Sequence, residues 1–346
     1  MRHSAVVTCA AFVSMLTLAG AASAAPGDAQ ARISGPVTHE NLAIYFIHGP
    51  SKAGPAPLTL DEAMRAGSVV VRETSNVNSL EIENLGDKPV FVQSGDIVKG
   101  GKQDRTLTVS MMLPPKSGAI PIASFCVEHG RWSPRAHENA MQFAAAPALV
   151  PSHDMKIAMQ EPPKPPPAGS PYYSDTAVRQ QQVWAGVATT QDRLSKSTGT
   201  NVRAPTSASS LQLALENEKL AARRDAYVGA LKAAAADSNI VGFVFAINGK
   251  IDSGDVYMSH ALFEKMWPKL LEASAIEAIG KLHDEKQAKA PAEQDVREFL
   301  AKADAGKATV KLLDFGMRRV LHDADSGYLI EAAVDQGWVH RSYLAK

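Results

Sequence analysis

Residues Ile240 to Lys250 read Ile-Val-Gly-Phe-Val-Phe-Ala-Ile-Asn-Gly-Lys and carry the clearest fold signal in the chain. The run from Ile240 to Ile247 contains no charged residue, which is typical of a strand buried on both faces. Asn248-Gly249 is the pair preferred in a two-residue type I′ turn, so the chain should reverse there and return through Lys250 to Met258. We therefore expect an antiparallel hairpin inside a sheet.

Outward from this hairpin, short strands cluster on both sides and helices lie between the clusters. The predicted N-terminal elements are the strands Leu42–Ile47, Val69–Arg72, Leu80–Asn84, Val90–Gln93, Thr106–Leu113 and Ile120–Val127, and a short helix from the cap Thr59 to Ala66. The predicted later elements are the helices Ala177–Leu194, Leu211–Ala236, Ser259–Ala273, Ala275–Glu285 and Glu293–Lys302, and the strands Val310–Leu313, Arg318–His322, Gly327–Ala332 and Trp338–Leu344. Because the strands cluster rather than alternate singly with helices, we expect an α+β fold with a mostly antiparallel N-terminal β region, central helices and a mixed C-terminal region packed together.

Changes in composition divide the chain into five expected segments. Residues 1–24 are typical of a secretory signal peptide, because a basic start, an uncharged apolar run and the small residues Ala22-Ser23-Ala24 follow one another. The next segments are a flexible N-terminus at 25–40, a β-rich region at 41–160, a proline-rich segment at 161–172 and a helical and mixed α+β region at 173–346, which can form one compact unit with 41–160. Cleavage near Ala24-Ala25 predicts an exported protein, periplasmic or extracellular.

Overall composition excludes several classes of protein. The chain has 346 residues with 36 basic and 36 acidic side chains, so it lacks the excess positive charge typical of a nucleic-acid binder or a polybasic membrane-surface protein. No second run of membrane-spanning length follows the signal peptide, so we expect no membrane contact after cleavage.

Cysteine and histidine usage gives no sign of a metal site. Two cysteines exclude a disulfide scaffold, and cleavage would leave Cys126 alone between apolar neighbours, where a core position is expected. His137-Glu138 begins like a zinc-protease motif, but Met141 occupies the place of the second histidine. We therefore expect no metal and no cofactor.

The segment Gly95-Asp96-Ile97-Val98-Lys99-Gly100-Gly101-Lys102-Gln103-Asp104-Arg105 leaves a strand, turns through two glycines and re-enters a strand. Glycines let backbone N–H groups approach an anion closely, and adjacent basic side chains can complete the site. The predicted ligand-binding residues here are Gly100, Gly101, Lys102, Gln103 and Arg105. The spacing is not that of a P-loop, and the alternative is a β-turn or bulge with a solvated charged rim.

A second charged segment is Cys126-Val127-Glu128-His129-Gly130-Arg131-Trp132. If the strand continues through it, Cys126 and Glu128 face one side and His129 and Arg131 face the other. His129 and Arg131 together suit an anionic ligand, and Trp132 can stack on a base or a sugar. The acid/base candidates are Glu128, His129 and, from the first segment, Asp96. The alternative is an ion-paired strand end capped by an aromatic side chain.

These two segments are expected to meet in space. The connection between the strands is short, which favours antiparallel neighbours because parallel pairing needs a long crossover. Arg105 should then lie opposite Glu128, with ~5 Å between their Cβ atoms. One rim would hold both glycines, Gln103, Arg105, Glu128 and Arg131, as a ligand site or as an ion pair that closes the sheet edge. On the hairpin, Asp255 and Tyr257 should share one face and can point into a cleft.

Taken in order, the two segments, Gln182-Val183-Trp184 and Ile247-Asn248-Gly249-Lys250 resemble one family, the ARG and Rhodanese-Phosphatase-superfamily-Associated Protein domain. The resemblance runs from about Asn41 to Tyr343. It implies an α+β domain with no established reaction, and an association with ADP-ribosylglycohydrolases and phosphatases that suggests ADP-ribose or related nucleotides as ligands.

Two functions from different classes therefore remain open. The first is an exported domain that binds, and as a further option hydrolyses, a small anionic nucleotide- or ADP-ribose-like ligand. The second is a non-enzymatic envelope module that meets a protein partner or has a structural role. The residues alone do not decide whether the protein is an enzyme.

Overall fold

In a computed structural model, the chain is described at residues 32–160, 174–283, 288–335 and 337–346. The expected signal peptide at 1–24 and the expected proline-rich segment at 161–172 lie outside the described residues. Within those ranges the chain forms seven α-helices and seventeen strands arranged in three sheets, which confirms the predicted α+β class. None of the helices described is long and apolar enough to cross a membrane.

The elements have the following bounds. The strands before the central helices are β1 (Arg32–His39), β2 (Leu42–His48), β3 (Leu58–Thr59), β4 (Val69–Asn76), β5 (Ser79–Asn84), β6 (Val90–Val92), β7 (Asp96–Gly100), β8 (Arg105–Leu107), β9 (Met111–Leu113), β10 (Gly118–Cys126) and β11 (Phe143–Leu149). The later strands are β12 (Ile240–Ile247), β13 (Lys250–Tyr257), β14 (Lys307–Leu312), β15 (Met317–Ala324), β16 (Gly327–Val334) and β17 (Gly337–Ala345). The helices are α1 (Leu60–Arg65), α2 (His153–Gln160), α3 (Asp175–Thr198), α4 (Leu211–Leu215), α5 (Glu218–Leu231), α6 (His260–Gly280) and α7 (Glu293–Asp304).

The predicted β12–β13 hairpin is confirmed and lies inside an eight-stranded antiparallel sheet of order β1-β2-β12-β13-β17-β16-β15-β14. Ile247 is opposite Lys250, and the turn residues Asn248 and Gly249 have φ values of 52° and 78°. A type I′ turn requires positive φ at both positions, which explains the Asn-Gly pair. All eight residues of β12 are buried. Strands from the predicted β-rich region and from the mixed region therefore pair within one sheet.

Helices cover both faces of this sheet. On one face Phe46 and Phe243 contact Trp267 of α6, with ring centroids 5.4 and 5.5 Å apart. On the other face Tyr45 and Val244 belong to a separate apolar cluster that includes Val296 and Phe299 of α7. Successive residues of a strand point to opposite faces, so β2 and β12 contribute to both layers. Each such large side chain contributes about 1.5–3 kcal/mol when fully buried.

A six-stranded sheet of order β11-β7-β8-β10-β5-β4 positions the two charged segments. The central strand β8 pairs with β7 on one side and with β10 on the other, and Cys126 is the register partner of Arg105. β10 ends at Cys126, so Glu128 and the residues after it belong to a loop that lies across the end of β8.

Several sequence-based boundaries are wrong. Residues 32–39 of the expected flexible N-terminus form β1, because this stretch pairs with β2 along its length and buries Ile33. Predicted strand Thr106–Leu113 divides into β8 and β9, which belong to different sheets.

Two helix boundaries are also wrong. The predicted helix Leu211–Ala236 breaks where Asn217 caps α5 by accepting from the backbone N–H groups of Lys219 and Leu220. Asparagine favours such caps because its side chain competes for backbone hydrogen bonds. In contrast, the predicted helices Ser259–Ala273 and Ala275–Glu285 do not divide at residue 274, because α6 runs unbroken from His260 to Gly280 and Ser274 Oγ donates to the carbonyl of Leu270 within it.

Candidate functional site

Seven charged side chains lie where the loop after β10 crosses the β7–β8 turn, five in one network and two, Arg105 and Glu73, in a separate buried pair, and we call this group the charged cluster. Its members are the acids Glu73, Asp104, Glu128 and Glu138 and the arginines Arg105, Arg131 and Arg135. The two predicted segments therefore do meet in space. The cluster carries four acids against three arginines, so its cations are largely neutralised from within.

The Glu128 carboxylate accepts five hydrogen bonds within the site. Its carboxylate accepts hydrogen bonds from Arg131 Nε at 2.7 Å, Arg131 Nη2 at 2.7 Å, Arg135 Nη1 at 3.2 Å and the Asp104 backbone N–H at 3.0 Å, and it also accepts from Ser207 Oγ. Burial alone would raise the pKa of Glu128, but the hydrogen bonds from Arg131, Ser207 and Asp104 together lower this pKa below its ordinary value. Glu128 is thus a buried, fully engaged anion.

Arg135 links the loop to the turn. It donates from Nη2 to Asp104 Oδ1 at 2.6 Å and from Nε to Glu138 Oε1 at 2.9 Å. Although burial opposes the charge, these acids raise the pKa of Arg135 above its ordinary value. Asp104 also accepts from the Gly100 backbone N–H at 2.9 Å and from Ser210 Oγ at 2.7 Å. Asp104 and Arg135 therefore join β7, the loop after β10 and the start of α4.

The predicted pairing of Arg105 with Glu128 is wrong. Cys126 occupies the register position opposite Arg105, and β10 ends before Glu128. The Arg105 side chain is fully buried, with Nη2 at 3.6 Å from Glu73 Oε2 and Nη1 donating to the Gln103 carbonyl at 2.8 Å. Arg105 Nε and Nη2 have no hydrogen-bond acceptor among the described residues.

Trp132 lies over this buried guanidinium. The ring centroid of Trp132 is 5.7 Å from Arg105 Cζ and 5.1 Å from Lys102 Nζ, and the indole is 46% exposed. Lys102 Nζ also donates to Ser75 Oγ at 2.8 Å. One exposed aromatic face is therefore bordered by two cations, one buried and one near solvent, in the arrangement that cation–π attraction favours.

A family model described as the ARG and Rhodanese-Phosphatase-superfamily-associated Protein domain matches residues 30–344. The chain belongs to this family. The resemblance expected between Asn41 and Tyr343 is thereby confirmed, and the whole charged cluster lies within the family's domain. No curated protein and no solved structure matches the chain.

Two of the three acid/base candidates lie outside the charged cluster of this family domain. Asp96 is buried in an ion pair with Lys269 and accepts from the Gln93 backbone N–H at 2.8 Å, which fixes the turn before β7. His129 is exposed and its ring lies edge-on to Trp184, with centroids 4.4 Å apart. Only Glu128 joins the cluster.

The two glycines shape the turn but do not offer free N–H groups. The Gly100 N–H donates to Asp104 and the Gly101 N–H donates to the Asn139 carbonyl at 3.2 Å. Gly101 has φ +56°, and a Cβ atom there would lie 2.4 Å from Cζ of Phe143. Gln103 is buried and donates to the Glu128 carbonyl at 3.2 Å. These residues belong to the frame of the site.

Cys126 is a core residue, as expected. It is fully buried, and burial raises the pKa of its thiol to about 11. Gln180 of α3 accepts from the Cys126 backbone N–H and donates to its carbonyl, both at 2.9 Å. No group of three metal-ligating side chains occurs among the described residues.

Six residues of the site were given no role from the sequence: Glu73, Asp104, Arg135, Glu138, Ser207 and Ser210. Arg135 and Glu138 are three residues apart, but that stretch was weighed only as an incomplete metal motif. The two serines lie in a polar loop about which local sequence says nothing, since Ser207 is 79 positions from Glu128.

Proposed function

We propose that this domain binds a small anionic ligand of the nucleotide or ADP-ribose type beside Trp132. The observation that carries the proposal is the buried Arg105 guanidinium, whose Nε and Nη2 groups have no hydrogen-bond acceptor among the described residues, although Nη2 lies 3.6 Å from Glu73 Oε2. An unsatisfied buried donor costs about 1–3 kcal/mol, so a phosphate or carboxylate oxygen that reaches Arg105 would recover that energy.

The residues around Arg105 match the phosphate and the base of such a ligand. Lys102 can move from Ser75 to a phosphate, since ammonium groups bind phosphates as point charges. Trp132 offers an exposed ring for stacking on a base. Because the Arg105 side chain is fully covered, entry of the ligand requires Trp132 to swing away from it.

Binding is the primary function in this proposal, with hydrolysis as a further option. A general base needs a carboxylate with a free lone pair near the substrate. Glu128 already accepts from two arginines, a serine and a backbone N–H, so its geometry supports a role in holding the loop that carries Trp132. The proposed setting is the exported one that the first 24 residues predict.

The test is calorimetric titration and thermal unfolding with ADP-ribose, ADP and ribose 5-phosphate. A ligand at a hundred times its Kd should stabilise the protein by about 2.7 kcal/mol. Lys102→Ala and Trp132→Ala should each weaken binding about tenfold or more, equivalent to about 1.4 kcal/mol, because each removes one direct contact. Lys99→Ala is the matched control, since Lys99 pairs with the surface residue Glu216.

Two results would contradict the proposal. One is the absence of binding by the wild-type protein to all three compounds. The other is binding that Trp132→Ala leaves unchanged, because the ligand would then lie elsewhere.

A specific observation favours a second candidate, a protein-interaction module. Strand β14 is an edge strand whose six residues are all exposed, and it pairs only with β15. Val310 is 57% and Leu312 77% exposed, and Phe315, in the turn after β14, is 40% exposed. Exposed apolar edge strands are templates for pairing with another strand. The simplest partner is β14 of a second copy, paired antiparallel about a two-fold axis.

Sedimentation at increasing protein concentration tests this candidate. The wild-type protein should form dimers through Val310 and Leu312, and Val310→Lys with Leu312→Lys should remain monomeric because it removes that apolar pair and raises the lysines on the strand from two to four. Val178→Lys, at an exposed apolar position of α3, should leave the dimer unchanged. A monomer at every concentration would argue against the module.

A further inference from the structure

A hydrogen-bonded serine, histidine and aspartate lie in a different part of the fold from the charged cluster. Ser110 belongs to the connection between β8 and β9, His340 to β17 and Asp255 to β13. His340 Nδ1 is 3.1 Å from Ser110 Oγ, and His340 Nε2 is 3.0 Å from Asp255 Oδ1. Three residues separated by long stretches of chain thus form one linear relay.

The hydrogen-bond partners fix the direction of this relay. The Asp255 carboxylate can only accept, so Nε2 of His340 carries the proton and Nδ1 has its lone pair free. The Ser94 backbone N–H donates to Ser110 Oγ at 3.0 Å and uses one of its two lone pairs, and with Nδ1 of His340 unprotonated the Ser110 hydroxyl is the donor in their 3.1 Å contact. This is the polarity in which a histidine can remove the proton of a serine hydroxyl.

The imidazole is held rigidly in this orientation. The Tyr257 ring stacks on His340 at a centroid distance of 4.9 Å, and the Phe91 ring meets it edge-on at 5.6 Å. Tyr257 in turn donates from its hydroxyl to Gln93 Oε1 at 2.6 Å. His340 and Asp255 are both buried. A base with a locked orientation and a locked tautomer loses little entropy when it acts.

Ser110 and Asp255 both line an internal cavity of about 40 Å³. A cavity needs roughly 10–15 Å³ of such volume for each water molecule, so this one holds about three waters or a two-carbon acyl group. Its wall is mixed, with apolar residues such as Phe243 and Phe245 and polar ones such as Ser94 and Gln160. Lys156 also lines the cavity and supplies a cation.

We propose that Ser110 is the nucleophile of an acyl-ester hydrolase site specific for acetyl-sized acyl groups. Ser110 Oγ forms a bond to the carbonyl carbon while its proton moves to His340 Nδ1. The bond from that carbon to the leaving oxygen then breaks, and the leaving alcohol takes the proton from Nδ1. Water attacks the acyl-serine next, passing one proton through His340 back to Ser110 and releasing the carboxylic acid.

The other two groups assist without being consumed. Asp255 stabilises the imidazolium that forms at each step, and Lys156 is the cation available to the developing oxyanion. This site shares no residue with the charged cluster, so the proposal stands or falls independently of ligand binding at Trp132.

The experiment treats the full-length protein with methanesulfonyl fluoride, a serine-directed reagent small enough for the cavity, and reads the product by intact mass and peptide mapping. One methanesulfonyl group should appear on Ser110, and none on Ser110→Ala or His340→Gln. Wild-type protein should also hydrolyse 4-nitrophenyl acetate, and Asp255→Asn should lower this rate by about 10⁴-fold by favouring the wrong tautomer. Ser253→Ala, a buried serine on the same strand as Asp255, should behave like wild type.

Folding of each variant is checked by thermal unfolding before the reagent is added. Bulkier phenylmethanesulfonyl fluoride should label Ser110 more slowly, because the cavity is small. Modification of a folded wild-type protein at another serine, or no modification at all, would overturn the proposal. Hydrolysis that persists unchanged in Ser110→Ala would do the same.

Discussion

Glu128→Ala should unfold with about 3–5 kcal/mol less free energy than the wild-type protein, because removing one partner of a buried ion pair leaves the other charge uncompensated. The Arg131 and Arg135 side chains are only 10% and 11% exposed, so water cannot replace the lost carboxylate at low cost. Urea unfolding at pH 7 measures the difference. Glu216→Ala is the control, since Glu216 forms a surface pair with Lys99 and should cost about 1 kcal/mol or less.

The difference in unfolding free energy between the wild-type protein and Glu128→Ala should depend on pH. The pKa of Glu128 is lower in the folded protein than its ordinary value of 4.5. The carboxylate therefore contributes its full stability above about pH 4.5 and loses it as the pH falls through the folded pKa. The difference in unfolding free energy between the wild-type protein and Glu128→Ala should become smaller below pH 4.5. If this difference in unfolding free energy were the same at pH 3 and pH 7, the destabilisation by Glu128→Ala would come from lost packing and not from lost charge.

Gly101→Ala should destabilise the protein by about 2–4 kcal/mol, since a Cβ atom adds a clash to a left-handed backbone. The new atom would lie 2.4 Å from Cζ of Phe143, a β11 side chain that is itself 7% exposed and has little room to move. Thermal or urea unfolding measures the loss. Binding at Trp132 should also weaken, because Gly101 directly precedes Lys102.

Gly118→Ala separates the cost of the left-handed backbone from the cost of the clash with Phe143. Gly118 has φ +69°, but nothing lies within 4 Å of a Cβ atom placed there. Gly118→Ala should therefore lower the free energy of unfolding only by the cost of an alanine in the left-handed backbone conformation, about 1–2 kcal/mol. If Gly101→Ala and Gly118→Ala lowered the unfolding free energy equally, the Phe143 side chain would have moved away from the new Cβ atom at no energetic cost.

The parts of the fold that local sequence specifies were predictable. Asn248-Gly249 and the apolar run before it determine a hairpin, and Thr59 with Glu62 determines the start of α1 through a capping box. The failures have tertiary causes. Residues 32–39 form a strand by pairing with β2, and β11 forms by pairing with β7, and local sequence shows neither partner.

The meeting of the two charged segments was predictable, but the full membership of the site and the pairing of its charges were not. Turn length and strand period brought the segments around Lys102 and Arg131 together correctly. They did not show that β10 ends at Cys126, which moves Glu128 out of register and gives Arg105 a different partner, Glu73. Ser207 lies 79 positions from Glu128, beyond the range of any pattern within a strand or helix.

The position of β17 has a consequence for biosynthesis. This strand is the last in chain order, yet it lies inside the eight-stranded sheet between β13 and β16. Until the ribosome has released Gly337 to Ala345, both neighbours present unpaired edges that invite aggregation. Pairing of β2 with β12 adds a separation of nearly two hundred residues, which makes assembly slow. The eight-stranded sheet therefore stays open between β13 and β16 until β17 has been synthesised.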